Sequence, residues 1–97
     1  MYARVLKMTL ADGKTRADAE ALADQTYPIY KALKGFVSVT YMVHDEAKGE
    51  YGSISLWETR EDADAAGENL RANFVEHHAD KASGPLDIHT AEVYQPK

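Results

Sequence analysis

The sequence predicts an α+β fold in which four strands and two helices follow one another in the order β-α-β-β-α-β. Three observations support this prediction. Four segments carry the alternation of strands, two segments open with the same Thr-Arg-x-Asp helix-start signal, and Gly-containing turns separate them. The 97 residues are the size of one domain, so we treat residues 1–97 as a single unit.

The first strand and the first helix are joined by a tight turn. Tyr2 to Leu10 alternates between two faces and ends at Ala11-Asp12-Gly13. Thr15-Arg16-Ala17-Asp18 has the form of a capping box, so a helix begins there. Pro28 lacks the N–H that a helix interior needs, and we expect the helix to kink or restart at this residue. Lys34-Gly35 predicts its end.

The second half of the chain repeats this pattern with a hairpin before the helix. Phe36 to His44 is predicted as a strand with Val37, Val39 and Val43 on one face, and a polar loop leads to the next strand, Tyr51 to Glu58. Thr59-Arg60-Glu61-Asp62 opens a helix whose apolar stripe comprises Ala63, Ala66, Leu70 and Phe74. Ser83-Gly84-Pro85 ends this region, and Leu86 to Tyr94 is the last strand.

This order is the split βαβ, or ferredoxin-like, arrangement, which places both helices on one face of a four-stranded antiparallel sheet. We assign Val37, Val39, Val43, Ile54 and Leu56 to the helix-covered face. The other face would then expose Leu6, Met8, Phe36, Met42 and Trp57, which is too much apolar surface to leave in water. A second copy of the chain is the simplest cover, so we expect a homodimer in which two sheets form an α/β barrel.

Composition excludes several classes of partner. The formal charge of −5 repels phosphate backbones and anionic lipids, so we expect neither nucleic acid nor membrane as a partner. The β-α-β-β-α-β order also occurs in RNA-binding RRM domains, but Ser53 and Leu56 stand where those domains need stacking aromatics. The chain has no cysteine, and its N-terminus lacks the apolar core of a signal peptide. We expect a soluble, cytoplasmic protein.

Several short motifs together resemble one family. They are a Gly-Phe-x-x-Val strand start at Gly35-Phe36-Val37-Ser38-Val39, a hairpin that leads into Ser-Ile-Ser-Leu-Trp-Glu-Thr, and Arg-Glu-Asp-Ala at the second helix. The chain resembles, over essentially its whole length, the antibiotic biosynthesis monooxygenase-like family of dimeric α/β-barrel proteins. The resemblance implies a homodimer with a cleft between each sheet and either its helices or the partner chain. It does not imply one reaction, because family members have diverse chemistry.

The haem-degrading branch of this family is not predicted. That branch has an asparagine on the first strand and a tryptophan and a histidine along the second helix. The corresponding positions here hold Leu6, Ala66 or its neighbours, and His77, so two of the three residues are absent.

Trp57 is the first candidate for ligand contact. It alternates with Ser53 and Ser55 and not with Ile54 and Leu56. Either its ring packs against the second helix or the dimer partner, or it forms a wall of the cleft. The other predicted substrate-binding residues are Phe36, Leu6, Met8, Met42, Thr40, Ser55 and Phe74.

His77 and Arg4 are the candidate catalytic residues. His77 falls near the centre of the apolar stripe of the second helix, where it is either a structural residue or a neutral imidazole that acts as general base. Arg4 either extends to the sheet edge or binds an anionic or enolate oxygen in the cleft. No spacing of histidines and carboxylates indicates a metal site, and we expect neither metal nor cofactor.

Two functions fit these residues. The first is a cofactor-independent monooxygenase that acts on a small aromatic, polycyclic or quinone-type molecule in an apolar cleft. The second is a non-catalytic dimeric module that binds a small apolar molecule or acts as a pathway partner. The resemblance favours the enzyme.

Overall fold

The computed structural model describes residues 1–97 and has the predicted order of elements. The elements are β1 (Tyr2–Thr9), α1 (Arg16–Ala32), β2 (Phe36–Asp45), β3 (Glu50–Trp57), α2 (Arg60–His77) and β4 (Asp87–Glu92), with a 3₁₀ turn at Ala79–Lys81. The four strands form one antiparallel sheet in the order β2-β3-β1-β4. The predicted fold class is therefore confirmed. Neither helix combines the length and the apolar character needed to cross a membrane.

Both helices begin at the predicted caps. The backbone N–H of Thr15 donates to Asp18 Oδ2 over 2.7 Å, and this hydrogen bond lowers the pKa of Asp18. The Oγ1 atom of Thr59 accepts from the backbone N–H of Asp62 over 3.1 Å. Helix α1 continues through Pro28 to Ala32, so it does not restart at the proline.

One face of the sheet carries both helices, and we call it the covered face. In antiparallel strands, residues that lie directly opposite each other share a face. Leu6 of β1 is opposite Ser53 of β3, and Met8 is opposite Tyr51, so all four residues lie on the covered face. Met8 and Tyr51 pack with Leu22 of α1. Trp57 packs with Ala63 and Ala66 of α2 and with Tyr30 of α1.

The face assignment made from the sequence is wrong for β1 and β3. Leu6, Met8 and Trp57 lie under the helices, whereas Ile54 and Leu56 lie on the opposite face, which we call the open face. A period of two separates the faces of a strand but does not show which one is covered. Two buried serines, Ser53 and Ser55, lie on the covered face of β3, whereas the more hydrophobic Ile54 and Leu56 lie on the open face. Hydrophobicity along this strand therefore does not indicate which face the helices cover.

A bulge in β2 explains the misplacement of Phe36. Phe36 is opposite Trp57, but Ser38, and not Val37, is opposite Leu56, so β2 has one extra residue here. Phe36 therefore lies on the covered face, where its ring is 5.7 Å from that of Trp57. Val37 is 43% exposed. Thr40 and Met42 lie on the open face, as predicted for Met42.

Gly35, between α1 and β2, has a left-handed backbone conformation that is energetically unfavourable for other residues. Its φ is 79°, and a Cβ added there would lie 2.6 Å from the Cβ of Asp62 at the start of α2. We expect Gly35→Ala to lower the free energy of unfolding by more than about 2 kcal/mol, because the left-handed backbone costs about 1–2 kcal/mol and the clash adds to it. Urea unfolding measures this effect.

Gly13→Ala is the matched control for Gly35→Ala. Gly13 has a similar φ of 84°, but a Cβ there meets no atom within 4 Å. The Gly13 variant should therefore show the backbone cost alone. Equal destabilisation by the two substitutions would contradict the predicted clash with Asp62.

Candidate functional site

A cavity of about 280 Å³ lies between the covered face and the two helices. Its lining comes from both helices and all four strands, and 14 of its 21 residues are hydrophobic. Ser53 on β3 and Ala19 and Ala23 on α1 have small side chains that leave the space between the layers unfilled. The volume is near the lower end of the range of about 300–1,000 Å³ for ligand pockets, so it suits a small molecule.

Arg4 brings a positive charge to this apolar cavity. The residue is only 5% exposed and lines the cavity from the middle of β1. Its guanidinium takes part in none of the ion pairs or side-chain hydrogen bonds of the structure. A largely buried charge without a protein partner is costly, and the guanidinium nitrogens are not fully enclosed, so this arrangement is suited to an anionic ligand that reaches them from the cavity.

Two hydroxyl groups supply further polar atoms. Tyr30 and Ser53 are 5% and 4% exposed, line the cavity and make no side-chain hydrogen bond within the protein. No fully enclosed side-chain nitrogen or oxygen lacks a hydrogen-bond partner, so these hydroxyls border accessible space. They are free to bond to oxygen atoms of a ligand. Sequence reasoning missed Tyr30 because its helical position indicates only that it faces the sheet.

Tyr41 closes the wall between α1 and β2. Its hydroxyl is hydrogen-bonded to Thr26 Oγ1 over 3.0 Å, and Thr26 Oγ1 also lies 3.0 Å from the carbonyl oxygen of Leu22 and 3.3 Å from that of Ala23. Either hydroxyl can be the donor in the pair with Thr26. Burial raises the pKa of Tyr41 to about 12, so the phenol stays protonated at neutral pH.

Trp57 lies behind the cavity and not in its wall. The ring is fully buried, stacks on Tyr30 with centroids 6.2 Å apart, and donates its N–H to Ser55 Oγ over 2.9 Å. Of the two interpretations of the sequence, the structure supports the one in which the ring packs against the helices. Trp57 holds Tyr30, which does line the cavity.

The predicted site residues are divided by the structure into two groups. Arg4, Leu6, Met8, Met42 and Phe74 all border the cavity; Met42 does so at the edge strand β2, although its register position is on the open face. The others lie elsewhere: Trp57, Phe36 and Ser55 in the core beside it, Thr40 on the open face, and His77 on the surface.

The expected position of His77 is wrong, and the neighbouring His78 is the buried histidine. The His77 side chain is 55% exposed, with Nε2 3.7 Å from a carboxylate oxygen of Glu76. Helix α2 ends at His77, and His78 leaves helical geometry with φ −134° and ψ 8°. The His78 ring thereby turns inward to Phe74, with Nδ1 3.2 Å from Lys81 Nζ. The catalytic role of His77 stays a prediction.

His78 is expected to make folding stability depend on pH. Burial, together with Lys81, lowers the pKa of His78 below its ordinary value of 6.5, so the unfolded chain binds the proton more readily. Its contribution to stability is therefore complete above pH 6.5 and is lost as the pH falls through the lower folded-state pKa. Each unit of pKa difference corresponds to about 1.4 kcal/mol.

Urea unfolding at about pH 8 and about pH 5 measures this dependence. His78→Gln should reduce the loss of stability at the lower pH, while the matched surface variant His77→Gln should retain it. An unchanged pH dependence in His78→Gln would show that other groups cause it.

Comparisons with known proteins identify the fold. No family model matches the chain, and a search of curated proteins found no match. Among solved structures, the chain is similar to a putative antibiotic biosynthesis monooxygenase from Bordetella bronchiseptica (TM-score 0.78, 19% identity, 97% of each chain covered). It is also similar to SnoaB, a cofactor-independent oxygenase from Streptomyces nogalater (TM-score 0.70, 18% identity, 99% of this chain and 97% of SnoaB covered).

The chain has the fold of the antibiotic biosynthesis monooxygenase-like proteins. The resemblance predicted from the sequence is thus confirmed at the level of the fold. A protein of unknown function from Nitrosomonas europaea shares this monooxygenase-like fold (TM-score 0.80, 19% identity, 99% of this chain and 91% of that chain covered). At these identities the likeness establishes the fold, and an activity has to be argued from the cavity.

Proposed function

We propose that the chain binds a small aromatic or quinone-type molecule in its cavity and oxidises it with molecular oxygen without a cofactor. The observation that carries the proposal is an apolar cavity of ligand size with the unpaired, buried Arg4 in its wall. The shared fold with a cofactor-independent oxygenase supports the type of chemistry.

The proposed chemistry requires an anionic substrate. Triplet oxygen reacts slowly with neutral organic molecules, but a phenolate or enolate can give it one electron. Arg4 would favour the deprotonated substrate, whose proton passes to water at the mouth of the cavity. In a phenol, a ring C–H becomes C=O and the O–H becomes a second C=O. One oxygen atom enters the product, the other leaves as water, and the substrate supplies all four electrons.

The proposed roles follow from the positions of the side chains. Arg4 binds the substrate anion, and Leu6, Met8 and Phe74 enclose the rings and exclude water. The hydroxyls of Tyr30 and Ser53 bind neutral oxygen atoms of the same molecule. His77 has no role in this proposal because it does not line the cavity.

The test is oxygen uptake with a panel of hydroxylated naphthalenes and anthracenes and their quinones. The expected result is uptake of one O₂ for each quinone formed, without hydrogen peroxide, together with saturable binding under argon. Formation of peroxide in place of water would contradict the proposed step. Absence of binding across the panel would overturn the ligand class.

Binding without chemistry is the second candidate function. The cavity lining contains no histidine, and Glu20, its one carboxylate, is ion-paired with Arg16 over 3.3 Å. No free general base therefore lines the cavity. Saturable binding by members of the panel without oxygen uptake would support a binding module over an oxygenase.

We also propose that the open face pairs with a second copy of the chain. Val5, Met42, Ile54 and Leu56 give this face an apolar centre, and no helix covers it. Light scattering should give twice the chain mass of 10.8 kDa. Leu56→Lys should halve that mass, whereas Val75→Lys, at a 64% exposed residue of α2, should leave it unchanged. A monomeric wild-type protein would contradict the proposal.

A further inference from the structure

Gly67 lies where the side chain of Arg4 meets helix α2. A Cβ at position 67 would be 3.0 Å from Arg4 Nε, which is closer than such atoms normally approach, and in ordinary contact with Arg4 Cζ at 3.7 Å. Glycine is unfavourable in the interior of a helix compared with alanine, and Gly67 is in the middle of α2. Because Gly67 has no side chain, the guanidinium of Arg4 can lie against the backbone of α2.

The guanidinium borders accessible space on two sides. Arg4 lines the apolar cavity, and it also lines a polar cleft of about 440 Å³ between α2 and β4. Gly67 lines only this cleft, and Arg71 lines both spaces. The cleft also contains Glu68 and Asp64, the latter ion-paired with Arg60 over 3.8 Å. The charged group of a ligand is therefore expected to contact Arg4 from the apolar cavity, where its rings also lie.

Positive charge is concentrated around the cavity despite the acidity of the protein. The chain has four arginines, and three of them, Arg4, Arg16 and Arg71, line the cavity. Arg16 is ion-paired with Glu20 and Glu46, whereas Arg4 has no carboxylate partner. In a chain of formal charge −5, this placement favours an anion over a neutral molecule of the same shape.

We propose that Gly67 is a specificity-determining residue, which positions Arg4 so that the cavity takes aromatic anions in preference to neutral aromatics of equal size. This inference depends on the proposed ligand site in the cavity. Arg4 is the residue that contacts the anionic group, and Gly67 acts through Arg4. A carboxylate on the ring system is the group that best matches the planar guanidinium.

The experiment compares two probes that differ in charge, 2-naphthoate and 2-naphthamide, by isothermal titration calorimetry with the full chain. We expect the wild-type protein to bind naphthoate about tenfold more tightly than naphthamide or more, since hydrogen bonds to charged groups are the stronger ones. Gly67→Ala should reduce this preference to about threefold by displacing the guanidinium, with affinity for naphthamide unchanged. Arg4→Gln should abolish it.

Asn69→Ala is the matched control for Gly67→Ala. Asn69 is exposed on the same helix and lines neither space, and its replacement also improves helix propensity. It should retain the wild-type preference. A preference that survives in Gly67→Ala would overturn the role of Gly67 even if Arg4→Gln failed to fold.

The outcomes separate this inference from the proposed function. Equal affinity of the wild-type protein for the two probes would overturn the inference and the anion-binding role of Arg4, but not the aromatic ligand class, because the cavity would still bind aromatics. Binding of neither probe would overturn both the inference and the proposed aromatic ligand. A preference lost in Gly67→Ala and kept in Asn69→Ala supports the inference.

Discussion

Replacing Trp57 with alanine is expected to lower the free energy of unfolding by about 3–5 kcal/mol. The ring is fully buried and is packed by Tyr30, Phe36 and the alanines of α2, so its removal leaves a cavity that these neighbours fill only in part. Small domains have about 5–15 kcal/mol of stability in total, so the variant should be close to unfolding. Denaturant titration followed by circular dichroism measures the loss.

Trp57→Phe is the control for this prediction. Phenylalanine keeps most of the apolar contact but loses the N–H that donates to Ser55 Oγ, so we expect a smaller loss of about 1–2 kcal/mol. A Trp57→Ala variant as stable as the wild-type protein would show that this aromatic cluster is not the centre of the core.

Replacing Arg4 with methionine is expected to have opposite effects on stability and on binding. Methionine keeps the aliphatic part of the side chain but removes the charge of a residue that is only 5% exposed and has no carboxylate partner. We expect the free energy of unfolding to rise by about 1 kcal/mol, as at other sites where function has a cost in stability. Binding of 2-naphthoate should fall to the level of 2-naphthamide.

Arg60→Met is the matched control for Arg4→Met. Arg60 is exposed, is ion-paired only with Asp64 over 3.8 Å and does not line the cavity, so its replacement should change stability by less than about 0.5 kcal/mol. It should also leave probe binding unchanged. If Arg4→Met were strongly destabilising, Arg4 would be a structural residue whose contacts outweigh the cost of its burial.

Local rules predicted the elements and their order. Thr15 and Thr59 each precede a helix because each forms a capping hydrogen bond with the residue three positions later, which is within one helical turn. Gly35 ends the first helical region for an equally local reason, its positive φ. Such features are predictable from sequence because every atom involved belongs to neighbouring residues.

Tertiary contacts changed the assignment of β2 and β3. The bulge at Val37 shifts Phe36 to the face of Trp57, and no residue in the segment signals it. Ser53 and Ser55 lie on the covered face although Ile54 and Leu56 are more hydrophobic. The choice between two faces depends on which one the helices reach, and this is determined by all four strands together.

The sequence likewise predicted only part of the candidate site. Arg4, Leu6, Met8, Met42 and Phe74 were predicted from the residues and the resemblance, and they all border the cavity. The last turn of α2 differs, because the helix ends one residue before His78 and so buries that ring in place of His77. A helical wheel gives the direction of His77 but not whether the sheet extends beneath the last turn, and it does not apply to His78, which lies outside the helix.

The sequence by itself therefore determined the fold class, the starts of the helices and the chemical types available for a site. These depend on propensity, capping and periodicity, which act over a few residues. Only the tertiary structure decided that Trp57 supports the cavity from behind, that Tyr30 and Ser53 reach it, and that Gly67 lies against Arg4. Those relations join residues that are far apart in the chain, and packing alone brings them together.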